Sequence, residues 1–231
     1  MNKPLSTTLF ESIYTRLRTD IIDGTLSPDS KLRIEELREK YEISASPLRE
    51  ALNRLAGEGF VNVIGQRGFR VAPVSIEDLR DLSRMRILLE CEALTESIAN
   101  GDDEGESNII HCHYRLGKTD SLNEADFEER EKRNKEFHNA LIAACTSPLL
   151  LRYRDTLYEQ HKRYRFLFIM SHDESRDLQK EHEEIKEAAL ARDVKRACEA
   201  TRKHIQNTEE LDAILLSKMS EAEQLAVKVA N

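Results

Sequence analysis

Three histidines stand where a helical chain could bring them to one place. Asn134 and His138 lie four residues apart, so both side chains project from one face of a helix, while His182 and His204 fall in later helical segments. Imidazoles converging from three helices of a bundle would suit Zn²⁺, Ni²⁺ or a similar borderline divalent ion, leaving positions open for water or a ligand. The same spacing also fits isolated surface or hydrogen-bonded core histidines. His111, His113, His161 and His172 show no partner pattern and read as surface residues. A three-histidine ion could activate water, which makes a metal-dependent hydrolase one reading. Against it, no carboxylate sits in a general-base motif: Glu136 and Glu183 adjoin the histidines in sequence and should point to other faces.

The elements that must position these groups are helical. Ser75 followed by Ile76-Glu77-Asp78 starts a helix with acidic residues in its first turn, where the helix dipole favours them. The pattern predicts helices over 76–100, 106–117, 123–145, 147–170, 174–191 and 194–216, with no strand signal, and a helical or frayed tail over 217–231. Short breaks between them imply an antiparallel bundle.

The first seventy residues differ. Five of the 8 glycines precede residue 70. Apolar residues at helical spacing run from Leu9 to Asp23, ahead of Gly24, and Ile34, Leu37 and Tyr41 mark a second helix. Ser44-Ala45-Ser46-Pro47 opens a third, with Ser46 as the expected cap and Pro47 at the first helical position. Leu48, Ala51, Leu52 and Leu55 form its buried stripe. Phe60–Ile64 and Phe69–Val71 alternate around Gly65-Gln66-Arg67-Gly68, which reads as a hairpin with a glycine-bearing tip. Helix, helix, turn, helix, hairpin is the order of a winged helix-turn-helix, whose third helix fits the major groove while the hairpin reaches the flanking backbone. The fold class is thus mainly α: a winged helix-turn-helix over 1–73, then an all-α bundle over 76–216.

Net charge is −8, yet residues 1–72 hold 11 Lys+Arg against 10 Asp+Glu, leaving 24 against 33 for 73–231. The acidity belongs to the second part, and a DNA-reading head needs local rather than overall positive charge. No apolar run approaches the roughly 20 residues that cross a bilayer, and nothing resembles a signal peptide. Cys91, Cys112, Cys145 and Cys198 lie far apart and read as reduced residues of a cytoplasmic protein.

The stretch Ser44-Ala45-Ser46-Pro47-Leu48-Arg49-Glu50-Ala51-Leu52, with Leu55, Gly59-Phe60 and Gln66-Arg67-Gly68-Phe69-Arg70-Val71, resembles the GntR family of bacterial regulators. The helical remainder resembles the FCD ligand domain of the FadR-type branch, in its six-helix version. Ser46–Leu52 and Arg163-Tyr164-Arg165-Phe166 are similar to CsiR-type, carbon-starvation-induced regulators. The resemblance implies DNA contacts from Ser44, Ser46 and Arg49, a phosphate contact from Arg33, and a wing tip at Arg67 and Gly68. Many relatives have arginine where this chain has Ala45, so its operator should depart from the commonest one. The resemblance also implies metal ligands at His138, His182 and His204, with Asn134 where many members have aspartate. An amide oxygen is a neutral, poorer ligand. Arg86 matches an arginine of the effector pocket, and Arg163 and Arg165 are further candidates to grip a carboxylate, unless they form an exposed basic turn.

The expected function is a ligand-responsive transcriptional regulator, and a repressor in particular. It would bind a palindromic double-stranded operator as a homodimer and answer to a small carboxylate effector, through a divalent metal (Zn or Ni) where one binds. The competing reading is a constitutive DNA-binding regulator whose bundle only dimerises; the hydrolase comes last.

Overall fold

The computed structural model describes residues 9–65, 68–119, 127–170 and 177–209, excluding the side chains of 167–170. Arg67 of the expected hairpin tip, His172, and the tail over 217–231 lie outside the described residues. The chain divides into two compact units, Met1–Ser75 and Ile76–Asn231.

In the first unit α1 (Leu9–Ile22), α2 (Ile34–Tyr41) and α3 (Ala45–Gly57) accompany a three-stranded antiparallel sheet. Its strands are β1 (Lys31–Leu32), β2 (Val61–Ile64) and β3 (Gly68–Val71), in the order β1-β3-β2. α3 packs on α1, α2 and β2 through the expected stripe: Leu48, Ala51, Leu52 and Leu55 are fully buried. Ile13, Leu17 and Ile21 of α1 meet them from the other side of the core. The start of α3 differs from expectation. The cap position is Ser44, its side chain makes no capping hydrogen bond, and Ser46 and Pro47 lie inside the first turn. The first four helical amides have no intrahelical partner, so a proline is tolerated anywhere in that turn and does not fix the first position. β1 was not expected, because two residues carry no periodicity; it pairs Lys31 with Arg70 and Leu32 with Phe69.

The second unit contains α4 (Ile76–Asn100), α5 (Asp103–Gly117), α6 (Phe127–Leu141), α7 (Pro148–Met170), α8 (Leu178–Leu190) and a helix over 194–209, here α9. α5 starts earlier than expected because Asp102 caps it, accepting from the Gly105 amide at 2.9 Å. α6 ends at Leu141 rather than 145, where Ile142, Ala143 and Cys145 turn instead onto carbonyls three residues back. The apolar core joins Leu94 and Ile98 of α4, Ile109 and Leu116 of α5, Phe137 and Leu141 of α6 and Ile185 of α8. Burying a side chain such as Phe137 contributes about 1.5–3 kcal/mol. The four cysteines are free, and Cys112 and Cys145 are buried.

α4 also buries a polar face: Ser83, Arg86, Glu90 and Ser97 are all excluded from water. Glu90 lies 3.1 Å from the Arg86 guanidinium one turn before it and 3.1 Å from that of Arg154 on α7. Arg154 in turn donates to Asn139 Oδ1 on α6 at 2.6 Å. One carboxylate thus ties α4 to α7, and through Arg154 to α6. Burial pushes the Glu90 carboxyl up, but Arg154 and Arg86 outweigh it and hold the group below its ordinary value of 4.5. A depressed folded value means that the stabilisation is complete above about pH 4.5 and is lost as pH falls through the folded value. Replacing Glu90 by alanine strands two buried guanidiniums, and urea unfolding should show a loss of about 3–5 kcal/mol at neutral pH. The variant should also lose part of the wild-type acid limb; a loss within 0–1 kcal/mol, typical of an exposed pair, would refute this account of the bundle.

Candidate functional site

The first unit presents α3 with Ser44, Ser46 and Arg49 all exposed on its N-terminal turns. Its buried stripe faces the core, so these residues occupy the outer side from which a helix reads a groove. Arg33 is exposed at the start of α2, its guanidinium 2.7 Å from Glu36, a surface pair that a phosphate could replace. Gly68 has an ordinary backbone conformation, and a Cβ added there would meet nothing within 4 Å. Nothing inside the fold therefore demands glycine at this position. Among the described residues no helix is long and apolar enough to cross a membrane.

In the second unit His138 from α6, His182 from α8 and His204 from α9 converge. Their ring centroids are 4.7–5.5 Å apart, and one ligand nitrogen from each lies within 4.8 Å of the others. All three are buried. Phe137, fully buried, sets its ring edge against His138 and His182 at 5.4 Å, forming an apolar wall. Burial holds the His138 imidazole well below its ordinary value, and the other two histidines, Arg154 and Arg86 add to the effect. The ring is therefore neutral and offers a lone pair. His138 Nε2 is buried without a hydrogen-bond partner. Asn134 donates its amide nitrogen to the Tyr158 hydroxyl at 2.8 Å, leaving Oδ1 as its acceptor.

His182, His204 and Asn134 line a cavity, partly open to solvent, with Thr119, Glu131 and Arg165. Arg165 is buried rather than part of an exposed basic turn, and grips Glu131 through Nε and Nη2 at 2.6–3.0 Å. Its third nitrogen donates to the Tyr158 carbonyl at 3.3 Å. Arg86 and Arg163 are also buried, but neither lines this cavity. Arg86 belongs to the Glu90 network, and Arg163 lies within electrostatic range of Tyr164 and Asp78. The guanidiniums of Arg86, Arg154 and Arg165 all face the Tyr158 ring at 4.3–5.0 Å from its centroid.

Two histidines expected on the surface are not there. His161 is fully buried beside Arg165, and His113 is mostly buried against Phe137, its Nε2 3.4 Å from Glu183. His161 sits among Glu159, Lys162 and Arg163 in sequence, which hid its burial. Glu136 pairs with Arg115 and Glu183 with Lys186, and neither lines the cavity. The sequence reading missed Arg154 and Glu181. Glu181 Oε2 lies 2.8 Å from His204 Nδ1. No local signal marks either residue; each acquires its partners only when separate helices pack together.

Comparison with known proteins agrees with this geometry. Residues 9–71 match the model of bacterial regulatory proteins of the gntR family, and residues 81–207 match the FCD domain. The transcriptional regulator BphR of Paraburkholderia xenovorans is 42% identical over 204 residues, covering 87% of this chain and 83% of the relative. The transcriptional repressor GlaR of Escherichia coli is 35% identical over 198 residues, covering 83% and 90%. A crystal structure of a GntR-family transcriptional regulator from Pseudomonas syringae superposes with a TM-score of 0.57 at 26% identity, covering 96% of this chain and 92% of that one. The exposed α3 face and the helical domain that follows it in sequence are accounted for together: the chain belongs to the GntR family of bacterial transcriptional regulators and carries an FCD domain.

Proposed function

We propose that this regulator acts in the cytoplasm as a repressor, binding a palindromic operator as a homodimer, with its DNA affinity set by a small carboxylate bound in the helical domain. The convergence of three buried imidazoles beside an excess of buried positive charge carries the reading. Arg86, Arg154 and Arg165 face two buried carboxylates, Glu90 and Glu131, so this group of five holds one positive charge in excess. Arg154 Nη2 is buried without a hydrogen-bond partner. A carboxylate supplies both the missing charge and the missing acceptor.

The three histidines fit a divalent ion. His138 has an orphaned Nε2 and is held neutral, the form that ligates. Zn–N bonds are about 2.0–2.1 Å, so modest ring movements would close the set, and Zn²⁺ or Ni²⁺ suits imidazole donors. Asn134 Oδ1 would be a fourth, neutral ligand. Such an ion supplies a Lewis-acidic point for one carboxylate oxygen.

On the DNA side Arg49, Ser44 and Ser46 would contact bases and phosphates, Arg33 a phosphate, and the Arg67-Gly68 tip the flanking backbone. A single head reads few base pairs, which favours two heads on a two-fold site. Effector control requires that the acid bind the DNA-competent and incompetent arrangements with different affinity.

Arg49→Ala should weaken binding to an operator selected from random duplexes by about 1–3 kcal/mol, roughly 5- to 150-fold, measured by fluorescence anisotropy. An unchanged affinity would remove Arg49 from the interface. Dialysis against Zn²⁺ or Ni²⁺ followed by elemental analysis should find one ion per wild-type chain and none in His138→Ala; equal occupancy in both would refute the ligand set. Gel-shift titration with mono- and dicarboxylates should find an acid that shifts operator affinity, and a flat response to all of them would favour a helical domain that only dimerises.

A further inference from the structure

We propose that Glu181 is the positioning residue for His204, holding the imidazole with Nδ1–H turned toward the carboxylate and Nε2 turned toward the point shared with His138 and His182. The inference rests on reading the three imidazoles as an ion site, and adds the residue that fixes one of them. Glu181 Oε2 lies 2.8 Å from His204 Nδ1, and its Oε1 accepts from Asn207 Nδ2 at 2.7 Å. Both carboxylate oxygens are therefore engaged by α9, and the group is held in one orientation. The contact is secluded, with the His204 and Glu181 side chains 10% and 16% exposed.

A neutral imidazole has one N–H and one lone pair. A carboxylate can only accept from it, so the proton belongs on Nδ1 and the lone pair on Nε2. Nε2 is then the nitrogen that can serve the shared centre. Without Glu181 the proton is free to move to Nε2, which would aim a donor at the position where an ion needs a lone pair. Glu181 acts through His204 rather than as a ligand: among the described residues the group able to share one ion consists of His138, His182 and His204, without a carboxylate. The arrangement also places two functions on neighbouring residues of α8. His182 supplies a donor nitrogen and Glu181 orients the donor on α9. Carboxylate partners of this kind raise ligand basicity, and losing one typically weakens ion binding by 10- to 100-fold.

The test uses the full-length protein, uniformly ¹⁵N-labelled and stripped of metal, as wild type, Glu181→Ala and Glu181→Gln. Long-range ¹H–¹⁵N correlation spectra report which nitrogen of each imidazole carries the proton. Wild type should show His204 protonated at Nδ1; Glu181→Ala should shift the proton toward Nε2. Glu181→Gln, whose amide oxygen can still accept, should keep the wild-type pattern. Competition of Zn²⁺ or Ni²⁺ against a chelator should then find Glu181→Ala about 10- to 100-fold weaker than wild type, with Glu181→Gln between the two. Circular dichroism confirms that each variant retains its helices. A wild-type His204 protonated at Nε2, or a tautomer and ion affinity unmoved in Glu181→Ala, would overturn the proposal. A wild-type chain that binds neither ion while His204 carries its proton on Nδ1 supports the positioning role and refutes the ion reading alone.

Discussion

Inside the helical bundle Glu90 accepts from the Arg86 guanidinium and forms an ion pair with that of Arg154, and this one buried carboxylate ties α4 to α7. Removing a carboxylate and two arginines from water costs several kcal/mol per ion unless their mutual geometry is good. Here the carboxylate sits 3.1 Å from each partner, and Arg154 is further tied to Asn139. Well-packed apolar side chains would fill the same space at least as favourably, so tight packing alone gives no reason for the charges. Their effect is electrostatic. They leave the interior with positive charge in excess and help hold His138 neutral, and those are the conditions under which a buried site accepts an anion and presents lone pairs to a cation.

The DNA-reading unit works by a different economy of charge. It is nearly neutral overall, with 11 basic against 10 acidic residues in its first 72 positions. Its apolar stripe lies inward, and Ser44, Ser46 and Arg49, the proposed reading groups, lie outward on the exposed turns at the start of α3. Affinity in such a head rests on placed groups more than on a general basic field, and in the proposed dimer a change in the placement of two heads would alter occupancy. The proposed link between the two units is a difference in acid affinity between arrangements, expressed as a coupling free energy.

The elements were legible because helices announce themselves by periodicity. The Leu48, Ala51, Leu52 and Leu55 stripe fixed both the existence and the facing of α3, and the acidic start at Ser75-Ile76-Glu77-Asp78 located α4 to the residue. Helix ends were read less well, since Asp102 begins α5 earlier than its first apolar residue and Ser44 rather than Ser46 occupies the cap of α3. At the histidine cluster the three imidazoles could be named, because residue type and resemblance pointed to them. Arg154, Glu90 and Glu181 could not be read in their present roles. Each is an ordinary helical surface residue by local sequence, and the contacts of Glu90 with Arg154 and of Glu181 with His204 form only when separate helices pack together. His161 shows the same limit in reverse: surrounded by Gln160, Lys162 and Arg163, it reads as exposed, yet it is fully buried.

The central claim is that the acid and the operator are coupled through this one chain, and coupling must be reciprocal. Calorimetric titration of the effective acid into free protein, and into protein saturated with operator, tests it most directly. The account predicts that the acid's affinity changes on DNA by the same factor, and in the same direction, as operator affinity changes on adding acid. Identical acid affinities for the free and operator-bound protein would contradict it.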